Sequence, residues 1–518
     1  MSANDASAIG YTPLTGPKRN LLIATVMLGT LMQVLDMTIA NVALPHMQAA
    51  LGATQQDIGW VLTSYIVAAG VFLPITGWVA DRIGQRRLFL LSVACFVIAS
   101  VLCGLATNLG EMVVFRLFQG MAGACLAPLA QTILLDNSDA SKRNSVMAIF
   151  GMGIMIGPVL GPVLGGWLTD RFDWRWVFFV NVPIGLLCFV GLIFLLPERA
   201  RPARPFDLSG FVLLALGIGM LQLMLDRGEN LDWFSSWEIL IELGVSVSAF
   251  WMFAIHLTTA ENPLYHTDML RDRNLVLGAT FMLLIGMILM GSAVLLPLMV
   301  QQLMGFPVIQ AGELMASRGV GTVIAMGLVG RFGSKLDPRL SIAIGLILIA
   351  MTMNQMAGWS LDVDQRSIAW NGLIQGMGIG AIFVPISTVS FATIAPQYRT
   401  DGAGLVSLTR SIGGSVAISV LAALLARNTQ INHADLAAYI SPYNYGLPAA
   451  AVSLANSSAI SVASIESEIL RQSAMIAFLN DFRLIAFLTV IMIPTVLLIR
   501  RPAKGQNQDD STMHMVLE

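Results

Sequence analysis

The 518-residue sequence predicts an all-α polytopic membrane protein, and three observations carry that prediction. Hydrophobic residues make up 56% of the chain and charged ones 12%, about half the charged share of an ordinary globular domain. Mean hydropathy is +0.74. Apolar runs of about 20 residues, the length needed to cross a bilayer as a helix, recur from one end of the chain to the other. The basic residues between those runs collect on one side. Length alone would suggest several soluble domains, but no soluble core needs so much apolar sequence.

Taken in order, the runs place helices over 21–43, 57–79, 88–106, 111–134, 144–167, 176–196 and 208–226. They continue over 237–257, 274–298, 311–330, 339–358, 368–393, 403–425 and 482–499, which makes fourteen. A polar stretch ending in Lys18 and Arg19 precedes the first run. That run is too long, and too polar at its end, for a cleaved signal peptide, so it is read as a retained span ending at Pro45. An even count returns the C-terminus to the side of the N-terminus. Arg82, Arg86, Arg87, Lys142, Arg143, Arg199, Arg271, Lys335, Arg399, Arg500 and Lys504 are among the basic residues that fall on that side. The positive-inside rule makes it cytoplasmic, with both termini inside. The four cysteines, Cys95, Cys103, Cys125 and Cys188, lie in apolar runs without a C-x-x-C pair and read as core residues.

The chain also repeats itself. GWVADRIGQRR from Gly77 is echoed by GRFGSKLDPR from Gly330, an offset of 253. FQGMAGACLAP from Phe118 is echoed by IQGMGIGAIFVP from Ile374, an offset of 256. Pro45 pairs with Pro297, and Gly157 with Gly413, at offsets of 252 and 256. These landmarks define a duplicated six-helix unit. The predicted organisation is therefore a tail over 1–20, a six-helix bundle over 21–196, and an inserted helix pair with its linkers over 197–273. A second bundle follows over 274–499, including a long loop over 427–480, and then a tail over 500–518. Two parallel halves about an axis along the membrane normal are the layout of major facilitator transporters, whose substrate site lies between the halves.

Several residues stand out chemically. Asp36 sits inside the first span, where a carboxylate is costly and marks a pathway or a buried pair. With Gly29, Gln33, Ala40 and Ala43 it shares one helical stripe, which suits a helix lining a cavity. Arg116 in the fourth span lies at a similar depth and is its expected partner; Gln119, Gly120 and Gly123 share the Arg116 stripe. Burial and a neighbouring guanidinium act in opposite senses on a carboxylate's hold on its proton, so the pair suits proton loading and release. The repeat puts Ile288 to Gly291 at the place of Asp36 and Asn371 or Gly372 at that of Arg116, which assigns proton chemistry to the N-terminal half. Gly77, Asp81, Arg82, Gly84, Arg86 and Arg87 form a loop expected to latch one conformation. Gly153, Gly157, Gly161 and Gly165 recur every four residues in the fifth span, and Pro158 and Pro162 invite a bend there. A small-residue packing face is the plain alternative to a hinge. Arg318 and Arg410 are expected at the cavity, as contacts for an anionic substrate or for backbone carbonyls.

LDMTIANVALP, GWVADRIGQRR, RLFQGMAGA, and GPVLGPVLGGWL followed by WRWVFFVNVPIG together resemble the signature motifs of EmrB/QacA-type drug:proton antiporters, fourteen-helix members of the major facilitator superfamily. SRGVG around Arg318 and LTRSIGGSV around Arg410 fit the same family, although Ala417 stands where a glycine is common. The resemblance covers roughly residues 20 to 500. It implies proton-coupled efflux of lipophilic compounds across a bacterial inner membrane, with Asp36 and Arg116 in proton coupling and the fifth-span motif typical of antiporters. It also implies a periplasmic membrane-fusion adaptor and an outer-membrane channel as partners, with 427–480 as a docking surface whose second half could lie on the membrane as an amphipathic helix.

Other classes are excluded. None of the four lysines follows glycine, so there is no phosphate-binding Gly-Lys-Ser/Thr, and an ion gradient must drive transport without a cofactor. No His-Glu-x-x-His exists, and His256 followed by Glu261 only loosely echoes an acyltransferase pair. No nucleic-acid partner is expected. The rival within transporters is an exporter of an endogenous metabolite or siderophore, since one scaffold serves many cargoes.

Overall fold

A computed structural model describes residues 16–54, 57–138, 142–198, 205–333, 336–439 and 459–499. Fourteen long helices run through them. They are α1 (Pro17–Leu51), α2 (Trp60–Ile83), α3 (Gln85–Leu105), α4 (Leu109–Asp136) and α5 (Arg143–Arg171). Next come α6 (Trp176–Leu195), α7 (Leu208–Arg227), α8 (Trp237–Thr259), α9 (Arg273–Leu303) and α10 (Val308–Phe332). The last are α11 (Pro338–Met356), α12 (Gln365–Val389), α13 (Arg399–Tyr439) and α14 (Ser464–Leu498). Twelve are long and apolar enough to cross a membrane, and α5, counted across its bend, makes thirteen. The remaining one, α10, is a 25-residue helix that carries Glu313 and Arg318. Below, the near face is the end of the bundle where α1 starts, and the far face is the other.

Capping chemistry sets many helix starts. Asn108, Asp207, Asp272, Asp337 and Asp364 each accept a backbone N–H of the turn they open, at the heads of α4, α7, α9, α11 and α12. Gly84 joins α2 to α3 at φ +91°, a conformation that disfavours any side chain. Pro45 does not end α1 as expected. The helix continues through Pro45, which with Asn41 is exposed, and runs to Leu51 before Gly52 stops it in the left-handed conformation.

Helix packing repeats in the two halves. α1 packs on α5 as α9 packs on α13, α2 on α4 as α10 on α12, and α3 on α6 as α11 on α14. Even the anchoring arginines correspond: Arg86 donates to Ile193 O at 2.6 Å and Arg339 donates to Ile499 O at 2.9 Å, 253 residues apart. α7 and α8 pair with each other, and α7 also packs on α2 and α13. Asp207 ties the near end of that pair together, bonding His256 at 2.8 Å and the N–H groups of Gly210 and Leu264. Burial pushes the Asp207 carboxyl up, but those hydrogen bonds outweigh it and hold the group below the usual carboxylate range. His256 is therefore a bracing residue. Glu242 is buried beside Arg227 at 3.7 Å, a packing contact inside the pair.

The loop expected over 427–480 is mostly helix. Its first part extends α13 to Tyr439, and its last part belongs to one helix over Ala459–Met492. The two extensions run antiparallel, with Asn432 Nδ2 donating to Ser473 O at 3.2 Å and His433 facing Glu466 at 2.8 Å. Pairing with α13 removes the need for the second half to lie on a membrane. Residues 440–458 of that loop fall outside the described residues, as do most of the two tails and Lys335. Cys103, Cys125 and Cys188 are buried, but Cys95 is exposed on the outside of α3 and is not a core residue.

α5 contains both expected features. Its segments Arg143–Pro158 and Val163–Arg171 meet at 41°. Its glycine face lies against α1: a Cβ built on Gly157 would sit 2.4 Å from Val34, and one on Gly161 would sit 2.1 Å from Thr38. Thr38 also donates to Gly157 O at 3.2 Å. The side chain of Pro162 lies outside the described residues. Gly161→Val should force α1 and α5 apart and lower stability by about 1–3 kcal/mol. Gly166→Ala, one turn on with open space at its Cβ, should be neutral in the same thermal-unfolding assay.

Candidate functional site

Arg116 and Gln119 stand three residues apart on α4 and face the same way, toward Asp36 of α1. Arg116 Nη1 donates to Asp36 Oδ2 at 2.7 Å and to Gln119 Oε1 at 2.8 Å. Gln119 Nε2 donates to Asp36 Oδ1 at 2.9 Å, closing a three-membered ring of side chains. Asn181 of α6 gives Asp36 Oδ1 a further donor at 2.7 Å and also donates to Ser100 of α3 at 2.9 Å. Three helices thus meet on one carboxylate, and Ser100 ties in a fourth through Asn181. Asp36 and Arg116 are each 1% exposed. The Arg116 guanidinium lies 4.8 Å from the Phe178 ring centroid and 5.4 Å from that of Tyr65, so aromatic faces cover what the carboxylate does not.

Of the residues expected to line a cavity, three do not in this conformation. Gln119 is fully buried in the ring with Asp36. Gly120 and Gly123 are packing positions: built Cβ atoms would lie 2.4 Å from Tyr65 O and 2.8 Å from Tyr65 Oη. Their missing side chains let α2 approach α4 and set Tyr65 over Arg116. Gln33 is half-buried. Arg318 is half-buried and donates from Nη1 to Ser292 Oγ at 2.6 Å. Arg410 is half-buried and, among the described residues, neither it nor Arg318 has a carboxylate partner.

The loop residues divide in two. Gly77 touches the other half, since a Cβ there would sit 1.6 Å from Asp401 Oδ1 of α13. Gly84 supplies the turn, and Asp81 is buried beside it. Arg86 and Arg87 instead reach the end of α6 in their own half, Arg87 pairing with Glu198 at 2.7 Å, and Arg82 is exposed. The other contacts between the halves come from residues that the sequence did not single out. Gln85 donates to Thr400 at 3.3 Å, Arg399 pairs with Asp136 at 2.8 Å, and Ser145 donates to Gly330 O at 2.6 Å. All lie at the near face, which these contacts close.

Asn181 and Ser100 were also missed. Neither is charged, and only the fold brings them to Asp36. A further buried carboxylate, Asp481 of α14, escaped because it fell between a loop expected to end at 480 and a span expected to begin at 482, whereas the helix runs through both.

Two bundles of like packing, a buried ion pair in one of them and contacts between the halves at one end define a membrane transporter built from two duplicated halves. The Major Facilitator Superfamily model matches residues 26–418, and the chain belongs to that superfamily. It is 36% identical over 437 residues to the multidrug export protein EmrB of Escherichia coli, covering 83% of this chain and 85% of that one. It is 35% identical over 498 residues to the fatty acid resistance protein FarB of Neisseria gonorrhoeae, covering 95% and 98%. In fold it is similar to the crystal structure of the human organic anion transporter MFSD10, with a TM-score of 0.59 at 15% identity over 92% of this chain and all of that one. The protein is a multi-pass membrane transporter of the EmrB-like efflux group, not an enzyme.

Arg116→Ala would leave Asp36 buried without its countercharge, at a cost of about 3–5 kcal/mol. The double change Asp36→Asn with Arg116→Gln should cost clearly less than the two single losses added, read by unfolding in detergent.

Proposed function

We propose that the protein exports lipophilic compounds from the cytoplasm in exchange for protons, by alternating access between its two bundles. The observation that carries this reading is the Asp36–Arg116 pair, an ion pair inside a membrane span with three side-chain donors on one carboxylate. A proton arriving on Asp36 cancels the charge that holds Arg116. It also requires one amide to turn from donor to acceptor, and Gln119 can do so only by giving up its bond to Arg116. Protonation therefore loosens α1, α4 and α6 from one another. Cargo and proton must favour different states for this to couple them. The near face, rich in Lys and Arg, is cytoplasmic in this reading, and its closure corresponds to a state that takes up protons from outside.

The pump draws on the proton gradient of a bacterial inner membrane and needs no cofactor. A periplasmic adaptor and an outer-membrane channel complete it, with the α13–α14 extension as the docking surface. Arg318 and Arg410, without carboxylate partners, favour lipophilic anions among the cargoes, which the name of the FarB relative supports.

In proteoliposomes under an imposed proton gradient, the wild type should couple ethidium movement to lumenal pH change. Asp36→Asn should lose that coupling more than tenfold while still binding ethidium. Equal coupled flux in both would remove Asp36 from the mechanism. Arg410→Gln should weaken oleate binding about tenfold, the worth of one charged hydrogen bond, and leave ethidium binding unchanged.

A further inference from the structure

We propose that Asp481 is a second proton-binding site of the transport cycle, built into the C-terminal bundle beside an apolar cavity between α9, α13 and α14. The proposal rests on the proton-coupled reading above and adds a site to it.

Asp481 is 1% exposed, and neither of its carboxylate oxygens has a hydrogen-bond partner among the described residues. Leu484, Ile485 and Leu488 follow it at helical spacing on the same face of α14 and line the cavity. Ile288 of α9 and Ala417 of α13 line it too, and every lining side chain is apolar. Ile288 opens the stretch, Ile288 to Gly291, that matches Asp36 in the repeat, so the cavity borders the C-terminal counterpart of that position. Where the N-terminal half builds a ring of donors around its acid, the C-terminal half leaves apolar walls and one bare carboxyl.

Depth places the group well inside the span. Asp481 precedes Ile499, whose carbonyl is held by Arg339 at the near face, by 18 residues, about 27 Å of helix. It follows Arg471, whose guanidinium donates to Leu303 O near the far face, by 10 residues, about 15 Å.

No cation answers it. Within their spans α9 and α11 carry only Arg273 and Arg339, both at the near face. On α13, Arg410 lies closer to the near face, Arg427 is exposed, and His433 and Asp435 belong to the extension beyond. On α14 itself, Arg471 is engaged with Glu468 and Leu303, and Arg483 is exposed. An ionised carboxylate so placed would cost several kcal/mol with nothing to offset it. The protonated acid is neutral and sits among apolar side chains at far smaller cost. In the conformation closed at the near face, Asp481 thus holds a proton while Asp36 is held as the anion by Arg116. Opening the cavity to water between α13 and α14 reverses that balance and lets the Asp481 proton go.

The test uses the full chain in lipid nanodiscs and the infrared C=O stretch of protonated carboxyl groups, followed as pH is raised. The expected result is a band present in the wild type and in Asp36→Asn, absent in Asp481→Asn, and moved in frequency by Asp481→Glu, which keeps a titrating acid should the Asn variant fold poorly. A band set unchanged by both Asp481 substitutions overturns the proposal. Failure of proton coupling as a whole would show separately, as a wild type that moves ethidium without moving protons. In coupled vesicles Asp481→Asn should lower the number of protons moved per ethidium by one, and an unchanged ratio overturns the role in the cycle.

Discussion

The constraint on which the rest of the structure depends is the burial of one charge, that of Asp36, in a segment made for lipid. A carboxylate there is tolerable only if its lone pairs are met, and Arg116, Gln119 and Asn181 meet them from two other helices. Those donors fix where α4 and α6 stand against α1. Gly120 and Gly123 then follow as necessities, because Tyr65 must come close enough to cover the guanidinium. The α1–α5 contact is close for a different reason, bare glycine faces without polar glue. One interface of α1 is thus polar and built on an ion pair, and the other is apolar and shaped by missing side chains.

The duplication supplies the architecture, and departures from it supply the chemistry. Helix pairings and the arginine anchors at Ile193 and Ile499 match across the halves. The cluster around Asp36 does not. The uncharged stretch Ile288 to Gly291 replaces the acid, and Gln375, in the place of Gln119, is buried without a partner for either end of its amide among the described residues. A scaffold that keeps its packing while losing its polar ring can carry different work in each half.

Much of this was legible in the sequence. Span number, the repeat, and the meeting of Asp36 with Arg116 follow from apolar run lengths, fixed offsets and depth, all local or additive quantities. What was not legible depends on neighbours distant in the chain. Asn181 is an unremarkable amide until α6 folds beside α1, and Asp136 is one acid among many until Arg399 approaches from the other half. Pro45 was read as a stop, whereas the helix runs through it to Leu51 and Gly52 stops it. Gln119, Gly120 and Gly123 were placed at a cavity by their stripe, but a stripe shows which residues share a face and not what that face meets. Asp481 was lost because the last span was started at 482, inside a helix that begins well before it, since hydropathy penalises the very charge that makes the residue informative.

The near-face contacts also bear on how the Asp36 ring is linked to the closed end of the molecule. Arg399 and Gly77 lie on α13 and α2, and α2 is the helix that Tyr65 presses against α4. A change in the Asp36 ring that frees Arg116 removes the cation under the Tyr65 ring, and with it part of what holds α2 to α4. The same helix carries, at its other end, the contact of Gly77 with Asp401 and then Gln85 with Thr400 just beyond. α2 therefore joins the Asp36 ring to the closed end through one tight turn at Leu73–Ile75, and it is held by contacts on both sides of that turn. Under the proposed proton-coupled reading, the link between the two sites then needs no long chain of relays, only that a helix pinned at two places be released at one of them.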